Sequence, residues 1–251
     1  MELSGNTVLI TGGGSGIGRG LAQAFHSLGN QVVIAGRRKS TLDRTSAGNP
    51  GMRAFELDVE KPSRISGFAA SVVADFPSLN VLINNAGIMR REDLLAQSPN
   101  LEDAESIVAT NLLGPIRLTA ALLPHLLKQP RATIINVSSG LAFLPMTVTP
   151  TYCATKAAIH SYTQSLRHQL RKTSVEVLEL IPPYVQTDLM DGAHDSRAMP
   201  LDQFIAEVME IFKTRPTPAE ICVENVKRLR HAAENRTFDQ IFNGMNSSIV
   251  G

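Results

Sequence analysis

Along the first 180 residues, short runs of apolar, largely β-branched residues alternate with longer segments in which apolar positions recur every three or four residues. The runs read as strands covered on both faces and the longer segments as amphipathic helices, so the alternation predicts a parallel sheet with helices on both sides. Strands are expected at Thr7–Thr11, Gln31–Ala35, Met52–Leu57, Val81–Asn84, Ala132–Val137 and Ser174–Leu180. Gly29 is placed to end the first helix and Pro62 to sit in the first turn of the third, while Pro115 and Pro124 should kink or interrupt the long fourth. Beyond Leu180 the pattern changes: Pro182, Pro183, Gly192 and Pro200 punctuate mixed polar residues before a helical stretch, Leu201–Phe212. This region, about 187–215, is expected to be a mobile lid. Thr217, Pro218 and Glu220 have the order of a cap, a first-turn proline and a capping-box acid for a helix to about Glu234, and Phe238–Phe242 is expected as a last short strand.

Composition narrows the class. The 251 residues suit a single domain spanning 1–251, large enough to need no disulfide or metal staple. Lys and Arg total 24 against 23 Asp and Glu, a balance that argues against a nucleic-acid binder. Cys153 and Cys222 are far apart, with no Cys or His at ligand spacing, so neither a disulfide framework nor a metal site is expected and a reducing, cytoplasmic setting is. No apolar run reaches the length of a membrane span, and the opening MELSGNTVLI has no basic stretch before its apolar residues, so neither a membrane anchor nor a signal peptide is expected.

The first strand runs into Thr11-Gly12-Gly13-Gly14-Ser15-Gly16-Ile17-Gly18, with helical period following from Arg19. A strand, a glycine turn and a helix make a phosphate cradle, because glycine lets backbone N–H groups approach a pyrophosphate and the helix start supplies partial positive charge. The spacing is T-G-x-x-x-G-x-G, longer than the common G-x-G-x-x-G. At the end of the second strand, where an acid would accept from a ribose 2′-OH, stands Gly36-Arg37-Arg38-Lys39, and no acid occurs between Gln31 and Leu42. A guanidinium holds a phosphate bidentately, so Arg37 first and Arg38 second point to NADP(H), with NAD less favoured.

Tyr152 and Lys156 lie four apart in a helical segment and share a face. A phenol of pKa near 10 is a poor base at neutral pH, but an ammonium about 5 Å away at an effective dielectric near 20 contributes roughly 3 kcal/mol, or about two pKa units. By itself the pair is common. Together with the glycine loop, Asn84-Asn85-Ala86-Gly87, Asn111 and Ser138-Ser139, in this order, it resembles the classical short-chain dehydrogenase/reductase family, over essentially the whole chain to about Thr187.

The resemblance implies a Rossmann-type doubly wound sheet of six or seven strands in the order 3-2-1-4-5-6-7. It implies Tyr152 as the general acid or base, Lys156 as the group that lowers its pKa and holds the nicotinamide ribose, Ser139 as the hydrogen-bond donor to the substrate oxygen, and Asn111 as the kink of the long helix, holding a water beside Lys156. Gly12, Gly14, Ser15, Gly16, Ile17 and Gly18 would hold the pyrophosphate, and Asp58 with Val59 the adenine. Asn84, Asn85, Ala86 and Gly87 would line the adenosine side while stabilising the sheet. Pro182 and Val185 would stand at the nicotinamide end, with Val185 bonding the carboxamide through its backbone, and Thr187 would lie near the phosphates through its hydroxyl. Pro183 departs from the family's Pro-Gly, which puts the nicotinamide contacts in question. The substrate would be a ketone, aldehyde or secondary alcohol with apolar substituents, since the expected walls include Leu141, Phe143, Leu144, Met146, Tyr184, Leu189 and Met190. A cofactor-binding regulator without turnover and an epimerase or dehydratase using the same Tyr and Lys are the rival readings. His125, His160 and His168 are expected to be structural, with no acid at telling spacing, and Cys153 to pack as a small apolar residue. Relatives pair through helices corresponding to Asn100–Lys128 and Thr151–Arg171, which implies a homodimer or homotetramer.

Overall fold

The computed structural model describes residues 1–95, 101–189, 195–215 and 217–247. Its centre is a parallel sheet of seven strands in the order β3-β2-β1-β4-β5-β6-β7. These are β1 (Thr7–Thr11), β2 (Gln31–Gly36), β3 (Arg53–Glu56), β4 (Leu79–Asn84), β5 (Ala132–Val137), β6 (Val175–Ile181) and β7 (Glu220–Cys222). The helices are α1 (Gly16–Ser27), α2 (Lys39–Ala47), α3 (Pro62–Asp75), α4 (Glu102–Val108), α5 (Gly114–Leu126), α6 (Pro150–Leu170), α7 (Leu201–Thr214), α8 (Glu224–Arg230) and α9 (Phe238–Asn246).

Successive side chains of a strand point to opposite faces, so the continuous apolar runs divide between two cores. Val8 and Ile10 of β1, with Val32 and Ile34 of β2, pack against Leu21 and Phe25 of α1 and Phe204, Val208 and Phe212 of α7. Leu9 and Val33 face the other way, onto α3, α5 and α6 through Phe68, Val72, Leu118, Leu122 and Leu166. Because β1 pairs with β2 on one side and β4 on the other, the winding direction reverses between β1 and β4. A crevice opens at such a reversal, beyond the carboxyl ends of the strands.

Three expectations are corrected. The Pro218–Glu220 segment does not open a helix: Glu220–Cys222 joins the sheet edge in parallel with β6, Leu180 opposite Ile221, and the helix starts only at Glu224. Ile221 is fully buried, and this pairing outweighs the local capping pattern. Phe238–Phe242, expected as a strand, lies in α9, where Phe238 and Phe242 stack one turn apart at 5.7 Å between ring centroids. The helical stretch assigned to a mobile lid is a core helix: Phe204, Val208 and Phe212 of α7 are buried, and Phe212 meets Phe25 of α1. Of the expected lid, 187–189 and 195–200 remain beside the crevice among the described residues. Met190, Gly192 and Asn100 lie outside the described residues.

The long fourth helix is interrupted by a π-helical turn at Ala109–Leu113 between α4 and α5, with Asn111 buried inside it. Pro115 is the second residue of α5, directly after the π turn in a helical backbone that continues from α4, and Pro124 lies within α5.

Removal of the fully buried Phe204 ring should lower stability by about 3–5 kcal/mol, the usual loss for Phe→Ala in a packed core. Urea unfolding of Phe204→Ala measures this; a loss under 1 kcal/mol would place α7 outside the core.

Candidate active site

The crevice is a cleft of about 1160 Å³ whose wall runs from the β1–α1 turn to the ends of β5 and β6. Thr11 sews its floor together: its hydroxyl accepts from the Asn85 and Ala86 N–H groups, both at 3.0 Å, and its carbonyl accepts from the Asn85 side chain at 2.9 Å. Gly12 (φ +68) lies so close to this strand end that a Cβ would stand 3.0 Å from the Ala86 Cα. Gly16 (φ +50) opens α1, and a Cβ there would press on Thr187 at 3.3 Å. Gly12, Gly14, Ser15, Gly16 and Ile17 line the cleft, whereas Gly18 is a packing glycine set against the Gly12 carbonyl. The first turn of α1 carries no acid, which leaves its N–H groups and partial positive charge available to an anion. These features fit a dinucleotide pyrophosphate.

Arg37 and Arg38 also line the cleft at the end of β2, and Arg38 Nη2 donates to the Ser15 hydroxyl at 3.2 Å. Lys39 is turned to Asp43 at 2.6 Å. At the adenine level Leu57 and Val59 form the wall; the Asp58 carboxylate accepts the Glu60 N–H at 3.2 Å and is not among the lining residues described. Asn85, Ala86 and Gly87 line the cleft, while Asn84 is inside the sheet, donating to Asn136 and Thr119.

Ser139, Tyr152 and Lys156 meet at the far end. Ser139 follows β5 in extended conformation, its hydroxyl accepting from the Leu141 N–H at 3.1 Å and hydrogen-bonded to the Tyr152 phenol. Tyr152 and Lys156 are adjacent turns of α6, with Lys156 Nζ 5.5 Å from the Tyr152 ring centroid and donating to the Val137 carbonyl at 2.8 Å. Both are nearly buried, 6% and 5% exposed. Burial pushes the Tyr152 phenol above its ordinary range, with the Ser139 hydrogen bond partly opposing it. Burial also lowers Lys156 to about 8, against the pull of the Glu179 carboxylate. Burial thus moves both groups away from their charged forms, and for the phenol this is opposite to the direction that the Lys156 charge alone would give.

Asn111 fixes the backbone beside this pair, its Oδ1 accepting from the Ile88 N–H and its Nδ2 donating to the Ile88 carbonyl, each at 2.9 Å. Gly87 stands between Asn111 and Lys156; a Cβ there would lie 3.4 Å from Asn111 Oδ1 and 3.7 Å from Lys156 Nζ. Pro182, Pro183, Val185 and Thr187 line the cleft, and Pro183 needs no positive φ, since Arg236 is the one non-glycine residue described with one. The Pro182 carbonyl accepts from Gly140 N–H at 2.9 Å, tying β6's end to the Ser139 turn.

Leu141, Met146, Tyr184 and Leu189 line the substrate end as expected, but Phe143 and Leu144 turn away, Phe143 onto His160 and Leu144 into a cluster with Ala232 and Ile241. In their place stand Leu229 and Met245, with Arg90, Arg91 and Arg197 also along the wall. The apolar spacing of Phe238, Ile241, Phe242 and Met245, a helical i, i+3, i+4, i+7, is the signal that marks α9. Asn246 locks α9 to the wall by accepting from the Thr147 N–H at 2.8 Å. His125 bonds the Leu79 carbonyl and Cys153 packs beside Met146, both structural as expected. His160, read as lacking an acid, pairs with Glu179 at 2.8 Å.

A glycine cradle on a doubly wound sheet, opening onto a Ser, Tyr and Lys, defines an oxidoreductase that uses a nicotinamide cofactor. The short chain dehydrogenase model matches residues 6–198. Across 98% of its length the chain is 39% identical to an uncharacterized oxidoreductase, DltE, of Bacillus subtilis (strain 168), 99% of which is covered. The closed form of serine dehydrogenase complexed with NADP+ superposes with a TM-score of 0.77 at 26% identity, covering 86% of this chain and 92% of that one. A 3-ketoacyl-(acyl-carrier-protein) reductase from Brucella melitensis complexed with NADH does so with a TM-score of 0.77 at 26% identity, over 86% and 93%. The chain belongs to the short-chain dehydrogenase/reductase family.

Proposed function

We propose that the protein is an NADPH-dependent reductase of a carbonyl carrying apolar substituents. The observation that carries this reading is the meeting of Ser139, Tyr152 and Lys156 at one end of a cleft whose other end holds the glycine cradle and two arginines. Gly12, Gly14, Ser15, Gly16 and Ile17, with the Thr187 hydroxyl beside them, would hold the pyrophosphate, Arg37 and Arg38 the 2′-phosphate, and Val185 and Lys156 the nicotinamide end. The bound nicotinamide supplies the hydride. Ser139 holds the substrate oxygen, and Tyr152 Oη gives it a proton as it becomes an alcohol oxygen. At neutral pH the phenol carries its proton, the form that an acid needs for reduction, and burial raises its pKa further. Ile88, Met89, Leu141, Met146, Leu229 and Met245 line an apolar space for the substituents.

A cytoplasmic setting is part of this reading, since two cysteines far apart in the sequence make no disulfide framework. Leu127 is 43% exposed at the end of α5, and self-association through α5 and α6 into a dimer or tetramer would cover it.

Following NADPH and NADH consumption across ketones and aldehydes tests the reading. Consumption with a preference for NADPH and for apolar carbonyls is expected. Preference for NADH would overturn the phosphate assignment, and product without net cofactor oxidation would favour an epimerase or dehydratase. With Lys156 lowered to about 8, its charge is present below that pH and lost above it, so kcat/KM for reduction should fall on the alkaline side near pH 8. A flat profile from pH 6 to 10 would show that this ammonium is not required.

A further inference from the structure

Behind the catalytic serine lies a polar cluster that carbonyl reduction does not itself require. Glu179 stands in the apolar run of β6 and is 0% exposed. Its Oε1 accepts from the Ser138 hydroxyl at 2.5 Å and its Oε2 meets His160 Nδ1 at 2.8 Å. The cluster touches both halves of the active site. Ser138 immediately precedes Ser139, and His160 follows Lys156 by one turn of α6. The Lys156 ammonium is held by the carbonyl of Val137, the residue before Ser138. Carboxylate and ammonium thus flank the same end of β5.

The groups facing Glu179 are Lys156 and His160 from α6, Glu220 and Cys222 from β7, and Arg230 from α8, while β5 offers only the Asn136 amide and the Ser138 hydroxyl. Glu220 lies beside Glu179 in register, but Arg230 binds both of its oxygens, Nε at 2.7 Å and Nη2 at 2.9 Å. Phe143 fills the gap, its ring 4.6 Å from both the His160 ring and the Arg230 guanidinium carbon. Ligand atoms of His160, Glu179 and Glu220 lie within 4.8 Å of one another, yet each is already engaged, so the cluster is a charge network and not a cation site. With Glu220 neutralised by Arg230, the Glu179 carboxylate is the charge left to act on Lys156. A buried carboxylate is costly unless it is hydrogen-bonded and faces an opposite charge.

We propose that Glu179 is a positioning residue: its buried carboxylate, fixed by Ser138 and His160, is the counter-charge that keeps Lys156 cationic and the Ser138–Ser139 turn in place. The proposal rests on the reductase reading for its effect on turnover but not for its effect on Lys156.

The test is Glu179→Gln in the full chain, which keeps the size and an acceptor but removes the charge. In ligand-free protein labelled with 13Cε lysine, the Lys156 resonance, assigned by its loss in Lys156→Met, should titrate about one pH unit lower, which corresponds to about 1.4 kcal/mol of lost charge–charge attraction. Glu179→Asp should restore most of the shift, and the alkaline limb of kcat/KM should move down with it. A folded Glu179→Gln protein with unchanged Lys156 titration overturns the proposal. Should that variant not fold, the 13Cδ resonance of Glu179 in the unaltered protein decides: an ionised carboxylate at pH 7–8 is required, and a protonated one overturns the proposal. Absence of any carbonyl turnover would defeat the reductase reading while leaving the Lys156 titration to decide this one.

Discussion

Tyr152→Phe is expected to lower carbonyl reduction by about a thousandfold while leaving the fold and NADPH affinity nearly unchanged, since general-acid catalysis contributes about 10²–10⁴-fold. The ring packs with Ile88, Met89, Ile107 and Cys153, so phenylalanine keeps its apolar contacts and loses only the hydroxyl bonded to Ser139. Loss of a proton donor acts in the transition state, and kcat and kcat/KM should therefore fall together. NADPH oxidation against a responsive ketone, beside NADPH titration by fluorescence, separates chemistry from binding. Retention of more than a tenth of the activity would mean that the proton comes from elsewhere.

The second large effect concerns cofactor choice. Converting Arg37 and Arg38 together to alanine should raise the KM for NADPH about a hundredfold and leave that for NADH within a few-fold, because hydrogen bonds to charged groups contribute about 1.5–3 kcal/mol each. Arg38 also donates to Ser15 at the start of α1, so Arg38→Ala alone should weaken both cofactors slightly, whereas Arg37→Ala should act on NADPH alone. Equal losses for the two cofactors in the double variant would mean that these arginines support the loop and do not read the phosphate.

The centre of the sheet was legible because a doubly covered strand leaves an unmistakable trace: Val8, Leu9 and Ile10 are all fully buried, and each face has its own helices. The glycine turn and the Tyr152–Lys156 spacing were legible for the same reason, since their geometry is local. What the letters hid was set by distant partners. Three residues of β7 carry no period, and Pro218 with Glu220 imitates a helix start; only the β6 edge makes them a strand. Prolines around 182–200 suggested a loose lid, although Phe204, Val208 and Phe212 at i, i+4 and i+8 already marked a buried stripe. Glu179 was visible as an acid in an apolar run, but its partners lie 41 residues before it at Ser138 and 19 before it at His160, where no local spacing shows them. The spacing of Tyr152 and Lys156 shows their mutual charge effect but not their burial, which raises the phenol.

Reduction of an apolar ketone with NADPH deuterated at C4 of the nicotinamide tests most directly whether Tyr152 and the cleft together perform hydride transfer. One diastereotopic form of the labelled cofactor should place deuterium on the carbinol carbon of the product while the hydroxyl proton comes from solvent, and Tyr152→Phe should all but abolish the labelled product. Product that carries no deuterium from either form, with the cofactor unconsumed, would contradict the account.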